Sequence, residues 1–172
     1  MNSLRTLIRD VPDFPKPGIV FKDFTPLLAD PSGLALAVEL MANPFRGRNV
    51  QFVIGAESRG FIFGTAIAQA LSAGFVPIRK PGKLPSSVHG VDYELEYGTD
   101  RLEIHSDALT PGSKVLVVDD LLATGGTMVA ACELARLSGA EILGMTVLIE
   151  LLDLGGRAKL PDPNAMHAVL SY

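Results

Sequence analysis

Residues 114–128 read KVLVVDDLLATGGTM, and this stretch decides the fold. Val115, Leu116, Val117 and Val118 form a short unbroken apolar run, the pattern of a strand buried on both faces of a parallel sheet. Asp119 and Asp120 end the run. Thr124, Gly125, Gly126 and Thr127 then open a helix that carries Met128, Ala131, Leu134, Ala135 and Ser138. A strand, paired acids, a loop of small residues and a helix is the layout of a phosphate cradle at a strand's carboxyl end. Glycines let backbone N–H groups approach an anion, threonines add hydroxyl donors, and a helix N-terminus contributes a partial charge of roughly +0.5. Carboxylates repel phosphate but accept hydrogen bonds from a vicinal diol such as ribose. A sugar phosphate satisfies both halves of the pattern.

Working outward, strands alternate with helices. Residues 52–54, 75–78 and 142–151 read as further strands, and 60–71 as a helix. Asp30 followed by Pro31 signals the start of a helix carrying Leu34, Val38 and Met41. Leu4, Leu7 and Ile8 have helical spacing, stopped at Val11-Pro12. Residues 93–97 and 102–104 alternate about Gly98-Thr99-Asp100, which predicts a hairpin. The expectation is an α/β fold with a mainly parallel sheet flanked by helices and ligands at the strands' carboxyl ends. The hairpin and the loop before it form a small hood over that edge. Residues 1–172 read as one domain, because a chain of 172 residues is long enough to bury one substantial core.

Composition narrows the function. With 48% apolar and 20% charged residues the chain is of ordinary globular type rather than disordered. A net charge of −4 argues against general attraction to nucleic acid. No apolar run approaches the roughly 20 residues that span a bilayer, which argues against a membrane partner. The N-terminal MNSLRTLIRD lacks the pattern of a signal peptide, and the single Cys132 fits a reducing compartment, so the cytoplasm is expected. Cys132 reads as a packed, inert thiol. His89, His105 and His167 show no metal-ligand spacing and read as surface or structural residues.

An anionic ligand therefore needs local cations, and Arg59, Arg79, Lys80 and Lys83 fall close together. Gly55-Ala-Glu-Ser-Arg-Gly60 lies between a strand and a helix, so it should line the same sheet edge. Its glycines fit a purely structural turn as well, but a guanidinium at such a turn can grip pyrophosphate bidentately. Phe61 stands where a Walker A loop would carry lysine, which excludes that motif. Residues 79–85, RKPGKLP, make a hinged basic loop, and residues 83–91 read as mobile and polar, suited to closing over a substrate. On the strand entering the hairpin, Glu94 and Glu96 share one face by alternation.

The 114–128 run resembles the phosphoribosyl pyrophosphate motif of type I phosphoribosyltransferases. PKPGIVFKDFTPLL, GAESRGFIFG, VPIRKPGKLP and YELEYGTDRLEIH are similar, in the same order, to segments of the adenine-using members of that family. The resemblance implies transfer of a phosphoribosyl group from phosphoribosyl pyrophosphate to adenine, giving AMP and pyrophosphate in purine salvage. It implies that Asp119 and Asp120 hold the ribose hydroxyls, directly or through Mg2+ carried by the substrate, with no direct protein metal site. Ala123, Thr124, Gly125, Gly126 and Thr127 would hold the 5′-phosphate. Arg59, Lys80 and Lys83 would bind the leaving pyrophosphate, with Arg59 beside a strained peptide bond at Glu57–Ser58.

On the base side, the resemblance implies that Phe21 stacks on adenine while Val20 and Lys22 read its edge through their main chains. Leu151 would pack on the other face of the base. Glu96 would be the general acid/base for the proton on the imidazole ring of the purine, and Tyr97 would help order the loop. A homodimer, with the partner ordering the site near Arg79, is implied as well. Two other readings stay open at this point. One is a non-catalytic phosphoribosyl pyrophosphate sensor, which the absence of spare length and the acidic charge argue against. The other is a transferase for a 6-oxopurine, which the Phe21 segment argues against.

Overall fold

The computed structural model describes residues 2–94 and 98–172. The chain opens with one helical turn, α1 (Asn2–Arg5), and a strand, β1 (Arg9–Pro12), that pairs antiparallel with β2 (Val20–Asp23). This corrects the expected helix toward Val11. Leu4 is fully buried, but the chain leaves the helix after Arg5, and Val11 sits opposite Phe21 in the ribbon. An ion pair between Arg9 and Asp23, 2.7 Å long, closes the far end of that ribbon. Two helices follow, α2 (Thr25–Ala29), which the spacing did not predict, and α3 (Pro31–Ala42). The cap expected for α3 is present: Asp30 Oδ1 accepts from the Gly33 N–H at 2.6 Å, with Pro31 in the first turn.

Strands β3 (Phe52–Ala56) and β4 (Gly74–Ile78) flank α4 (Gly60–Ala70). A hairpin, β5 (Val88–Glu94) with β6 (Thr99–His105), comes next, then β7 (Lys114–Leu122), α5 (Gly126–Leu137), β8 (Glu141–Glu150) and β9 (Met166–Ser171). The main sheet has the order β4-β3-β7-β8-β9, and every pairing in it is parallel. This is the expected α/β architecture, with β7 at the centre.

The apolar run in β7 shows why the sheet is covered on both faces. Val115 and Val117 join one core cluster with Met128, Leu134 and Ala135 of α5. Leu116 and Val118 join the other with Met41 of α3 and Phe63 and Ile67 of α4. Strand side chains alternate in direction, so a doubly covered strand must be apolar at every position. Each such side chain contributes roughly 1.5–3 kcal/mol by leaving water. Truncating the fully buried Leu116 to Ala would cost about 2–5 kcal/mol.

Three sequence expectations are corrected. Asp119 and Asp120 do not end β7; the strand continues through them to Leu122, because its edge still pairs with β8 as far as Glu150. In the hairpin, Thr99 and Asp100 are paired strand residues opposite Glu94 and Tyr93, rather than the turn. Residues 88–91 are paired with 102–105 and so belong to β5 rather than to a mobile loop. Their polar composition misled because this is a two-stranded hood, tied to the main sheet through a bridge between Arg79 and Glu103.

The crossover from β8 to β9 is unusual for a parallel pair, which is commonly joined by an α-helix. Here it is built of three short 3₁₀ turns, Leu152–Leu154, Gly156–Lys159 and Pro163–Ala165. No described helix is long and apolar enough to cross a membrane.

Candidate active site

At the carboxyl edge of the sheet, a cleft of about 180 Å³ is lined by Arg59 and by the continuous run from Asp119 to Met128. The run supplies two kinds of group. Its first half is acidic. Asp120 is 3% exposed, and its Oδ2 lies 3.0 Å from Arg59 Nε, an ion pair without a well-aligned hydrogen bond. Asp119 Oδ1 accepts the Asp120 N–H at 2.9 Å. A Cβ on Gly60 would come within 2.9 Å of that same oxygen, so the start of α4 packs directly against the Asp119 carboxyl.

Loss of hydration pushes the Asp119 carboxyl well above the usual range, and the adjacent Asp120 adds to the rise. The Asp120 N–H and the charge of Arg59 oppose it without cancelling it. A carboxyl held this way favours a neutral hydrogen-bonding partner such as a sugar hydroxyl.

The second half is a nest of donors. Gly125 has φ +87°, a conformation that other L-residues adopt only under strain, and it caps α5 without any side-chain bond. The first-turn N–H groups of α5 are therefore left without a side-chain cap, and they open on the cleft beside Thr124 and Thr127. Thus Arg59, Asp119, Asp120, Ala123, Thr124, Gly125, Gly126 and Thr127 are brought together.

Lys80 and Lys83 do not line that cleft. Lys80 Nζ bonds Asp100 Oδ2 of the hood at 2.7 Å, which raises the lysine pKa and lowers that of Asp100. Tyr93 shares Asp100 Oδ2 at 3.2 Å; burial raises its phenol pKa, opposed by the Thr127 hydroxyl. Lys83 is exposed on the adjoining loop. That loop is anchored by Glu57, which takes Arg79 Nε at 2.8 Å and the Lys80 N–H at 3.0 Å. Burial would push the Glu57 carboxyl up, but Arg79 and the Lys80 N–H outweigh it and hold it below the usual value. The peptide bond between Glu57 and Ser58 is cis.

Arg59 also joins this edge to the β2 segment, since its guanidinium lies 5.6 Å from the ring centroids of both Phe21 and Phe24. A mainly apolar hollow of about 250 Å³ is lined by Val11, Phe14, Phe21 and Asp23. Phe14 meets Phe21 edge-on at 5.3 Å. Among the described residues β2 pairs only with β1, so its second edge has no strand partner. The Lys22 side chain is turned to Asp10 at 2.7 Å and to the Tyr172 ring, which leaves its main chain as the group able to read a ligand. Leu151, partly buried, donates its N–H to the Leu122 carbonyl at the end of β7. Glu96 and Tyr97 lie outside the described residues.

Sequence reasoning missed Phe14, Phe24 and Asp100, and also Gly156, whose signal was the Gly155-Gly156 doublet after the last long strand. His167 Nε2 meets the Leu40 carbonyl at 3.1 Å, and among the described residues no group of three or more acids, histidines and cysteines is clustered to hold a metal. Burial pushes the Cys132 thiol up to about 11, as an inert packed cysteine requires.

The chain is similar to known proteins over nearly its whole length. Residues 25–167 match the phosphoribosyl transferase domain family. The adenine phosphoribosyltransferase of Rhodopirellula baltica is 57% identical over 169 residues, covering 98% of this chain and 82% of the relative. The crystal structure of adenine phosphoribosyltransferase from Rhodothermus marinus superposes with a TM-score of 0.94 at 50% identity, covering 99% of this chain and 97% of that one. The Saccharomyces cerevisiae enzyme, solved with an imino-altritol bisphosphate and adenine, gives 0.93 at 39% identity over 98% of this chain and 97% of its own.

Proposed function

Because the chain belongs to the phosphoribosyltransferase family, we propose that it is the purine salvage enzyme that joins adenine to the phosphoribosyl group of phosphoribosyl pyrophosphate, giving AMP and pyrophosphate. One observation supports this reading above the others. A carboxylate pair, an uncapped helix N-terminus and a guanidinium share one cleft, and the guanidinium lies over the aromatic ring proposed to carry the base.

In this reading the nest of Ala123, Thr124, Gly125, Gly126 and Thr127 binds the 5′-phosphate. Asp119 and Asp120 accept hydrogen bonds from the ribose hydroxyls. Phe21 stacks on adenine, Val20 and Lys22 read its edge through the main chain, and Leu151 covers the opposite face. The bond from the anomeric carbon to pyrophosphate breaks as the bond to the adenine imidazole nitrogen forms. The proton on that nitrogen passes to Glu96, a transfer worth about 10²–10⁴ in rate. Arg59, Lys80 and Lys83 stabilise the charge gathering on pyrophosphate. Arg59 is paired with Asp120 through Nε and Lys80 with Asp100 through Nζ, and each keeps further N–H donors that can turn to the pyrophosphate.

Phosphoribosyltransferases generally use Mg2+ with phosphoribosyl pyrophosphate. The oxygen donors of Asp119 and Asp120 suit such a hard cation, but two carboxylates are too few for a protein-held site, so the ion would arrive with the substrate. Bound there, it would neutralise charge on the leaving pyrophosphate. We further propose one catalytic domain, a homodimer, and a cytoplasmic location.

The test is pyrophosphate release from phosphoribosyl pyrophosphate and Mg2+ with adenine, hypoxanthine, guanine or xanthine, with Glu96→Gln in parallel. Release with adenine alone, falling about 10²-fold or more in the variant, is expected. Tight binding of phosphoribosyl pyrophosphate without release for any base would overturn the enzyme reading.

A further inference from the structure

Beneath the phosphate nest lies the irregular crossover from β8 to β9, and its residues touch the nest backbone to backbone. A Cβ on Gly156 would overlap the Ala123 carbonyl oxygen and lie 2.8 Å from the Gly125 nitrogen. Reciprocally, a Cβ on Gly125 would meet the Gly156 carbonyl oxygen at 2.7 Å. The two segments are therefore in van der Waals contact with no side chain between them. A movement of Gly156 toward the loop must displace it.

The next residue fixes where Gly156 sits. Arg157 forms a two-pronged pair with Glu150, Nε to Oε1 at 2.8 Å and Nη2 to Oε2 at 2.5 Å. Its remaining nitrogen, Nη1, donates to the carbonyls of Met166 at 2.8 Å and Pro163 at 3.1 Å. Glu150 is 3% exposed, so this carboxylate depends on the guanidinium for its charge balance. Glu150 is also in register with Leu122, the residue that precedes Ala123. The clamp thus grips the end of β8 and the start of β9 around the foot of the nest.

We propose that Arg157, acting through Gly156, is a positioning residue that sets the height of the phosphate nest, and so the affinity for phosphoribosyl pyrophosphate. Arg157 itself is not placed on the substrate. The inference rests on the reading that residues 123–127 hold the 5′-phosphate. A plain structural staple would lower thermal stability alone. A positioning role moves the constant for phosphoribosyl pyrophosphate far more than that for adenine, because the Phe21 hollow is built on a different ribbon and of the proposed adenine contacts only Leu151 adjoins the clamp.

The test compares Gly156→Ala and Arg157→Lys with the unmodified enzyme, reading both KM values and the melting temperature. The lysine keeps the charge but cannot make the fork. KM for phosphoribosyl pyrophosphate should rise about 10- to 100-fold in Gly156→Ala and by a smaller factor in Arg157→Lys, with KM for adenine changed less than about twofold. A fall in melting temperature with both constants unmoved overturns the proposal, as does an equal rise in both.

Hydrogen exchange on the unmodified enzyme with AMP as probe gives a second reading that needs no folded variant. Protection of the amides of 155–157 together with those of 123–127 is expected. Protection of 123–127 alone overturns the proposal. Absence of AMP formation by the unmodified enzyme would instead overturn the functional reading, and this inference with it.

Discussion

The phosphate nest and the proposed adenine hollow are close neighbours, joined by Arg59, yet they are built by different means. The nest is backbone: a positive-φ glycine, a helix without a side-chain cap, and a second glycine packed against both. Its shape is set by main-chain contacts and buried strands on either side. The hollow is side chain: Phe14, in the loop of a two-stranded ribbon, meets Phe21 edge to face, with Phe14 51% exposed. An anion that every substrate of this type shares suits a site fixed by the fold. A base that distinguishes one enzyme from another suits a site that can be re-cut by replacing side chains. Arg59 touches both, through Asp120 on one side and the rings of Phe21 and Phe24 on the other.

If the nest is set by backbone, altering its backbone should do the most damage. Gly125→Ala forces a residue with a Cβ into φ +87° and against the Gly156 carbonyl, so kcat/KM should fall roughly 10²–10³-fold. Steady-state kinetics on soluble variant protein decides this, and a loss under about threefold would break the contrast. Arg59→Lys comes next. A lysine keeps the charge but neither the fork nor the stacking, and a loss of about 10² in kcat/KM is expected, shared between both substrates.

Phe21→Ala should act on one side only, raising KM for adenine about tenfold, the low end for removing an aromatic ring from under a base. Adenine should also lose much of its lead over hypoxanthine in direct competition. If adenine selectivity survives unchanged, Phe21 does not carry it.

The fourth effect is on stability, and its sign follows from the raised Asp119 carboxyl. A carboxyl whose folded pKa exceeds its unfolded value contributes stability that is full below the unfolded pKa and is lost as pH rises through the folded one. Asp119→Asn removes that loss. The variant should therefore melt several degrees above the parent near pH 8, and the gain should vanish near pH 4, while turnover falls. Melting curves across that range test it, and a gain that grows toward low pH would contradict the assigned cause. The smallest effect belongs to the hood: Asp100→Asn frees the half-exposed Lys80 and should change KM for phosphoribosyl pyrophosphate by less than about threefold.

What the sequence disclosed divides along the same line. The nest was legible because it is local: 114–128 holds strand, acids, loop and helix in one continuous run, and a short apolar stretch bounded by acids and turn residues fits a doubly covered strand. The capping of α3 by Asp30 was legible for the same reason. The first strand was not, since Leu4, Leu7 and Ile8 carry a helical period and only pairing with residues 20–23 across a loop makes 9–12 extended. Likewise Asp100 reads as a turn residue until Tyr93 is seen opposite it. Gly156 and Arg157 escaped notice because their role exists only where the β8–β9 crossover returns beneath the nest. Contact between segments, whether across a hairpin or across the sheet, set the limit rather than weak signal within one.

The division between the two regions is tested most directly by measuring both KM values in Phe21→Ala and Thr124→Ala under identical conditions. The account predicts a crossed result: Phe21→Ala raises KM for adenine about tenfold and spares phosphoribosyl pyrophosphate, whereas Thr124→Ala does the reverse. Two variants that raise the same constant, or raise both alike, would contradict it.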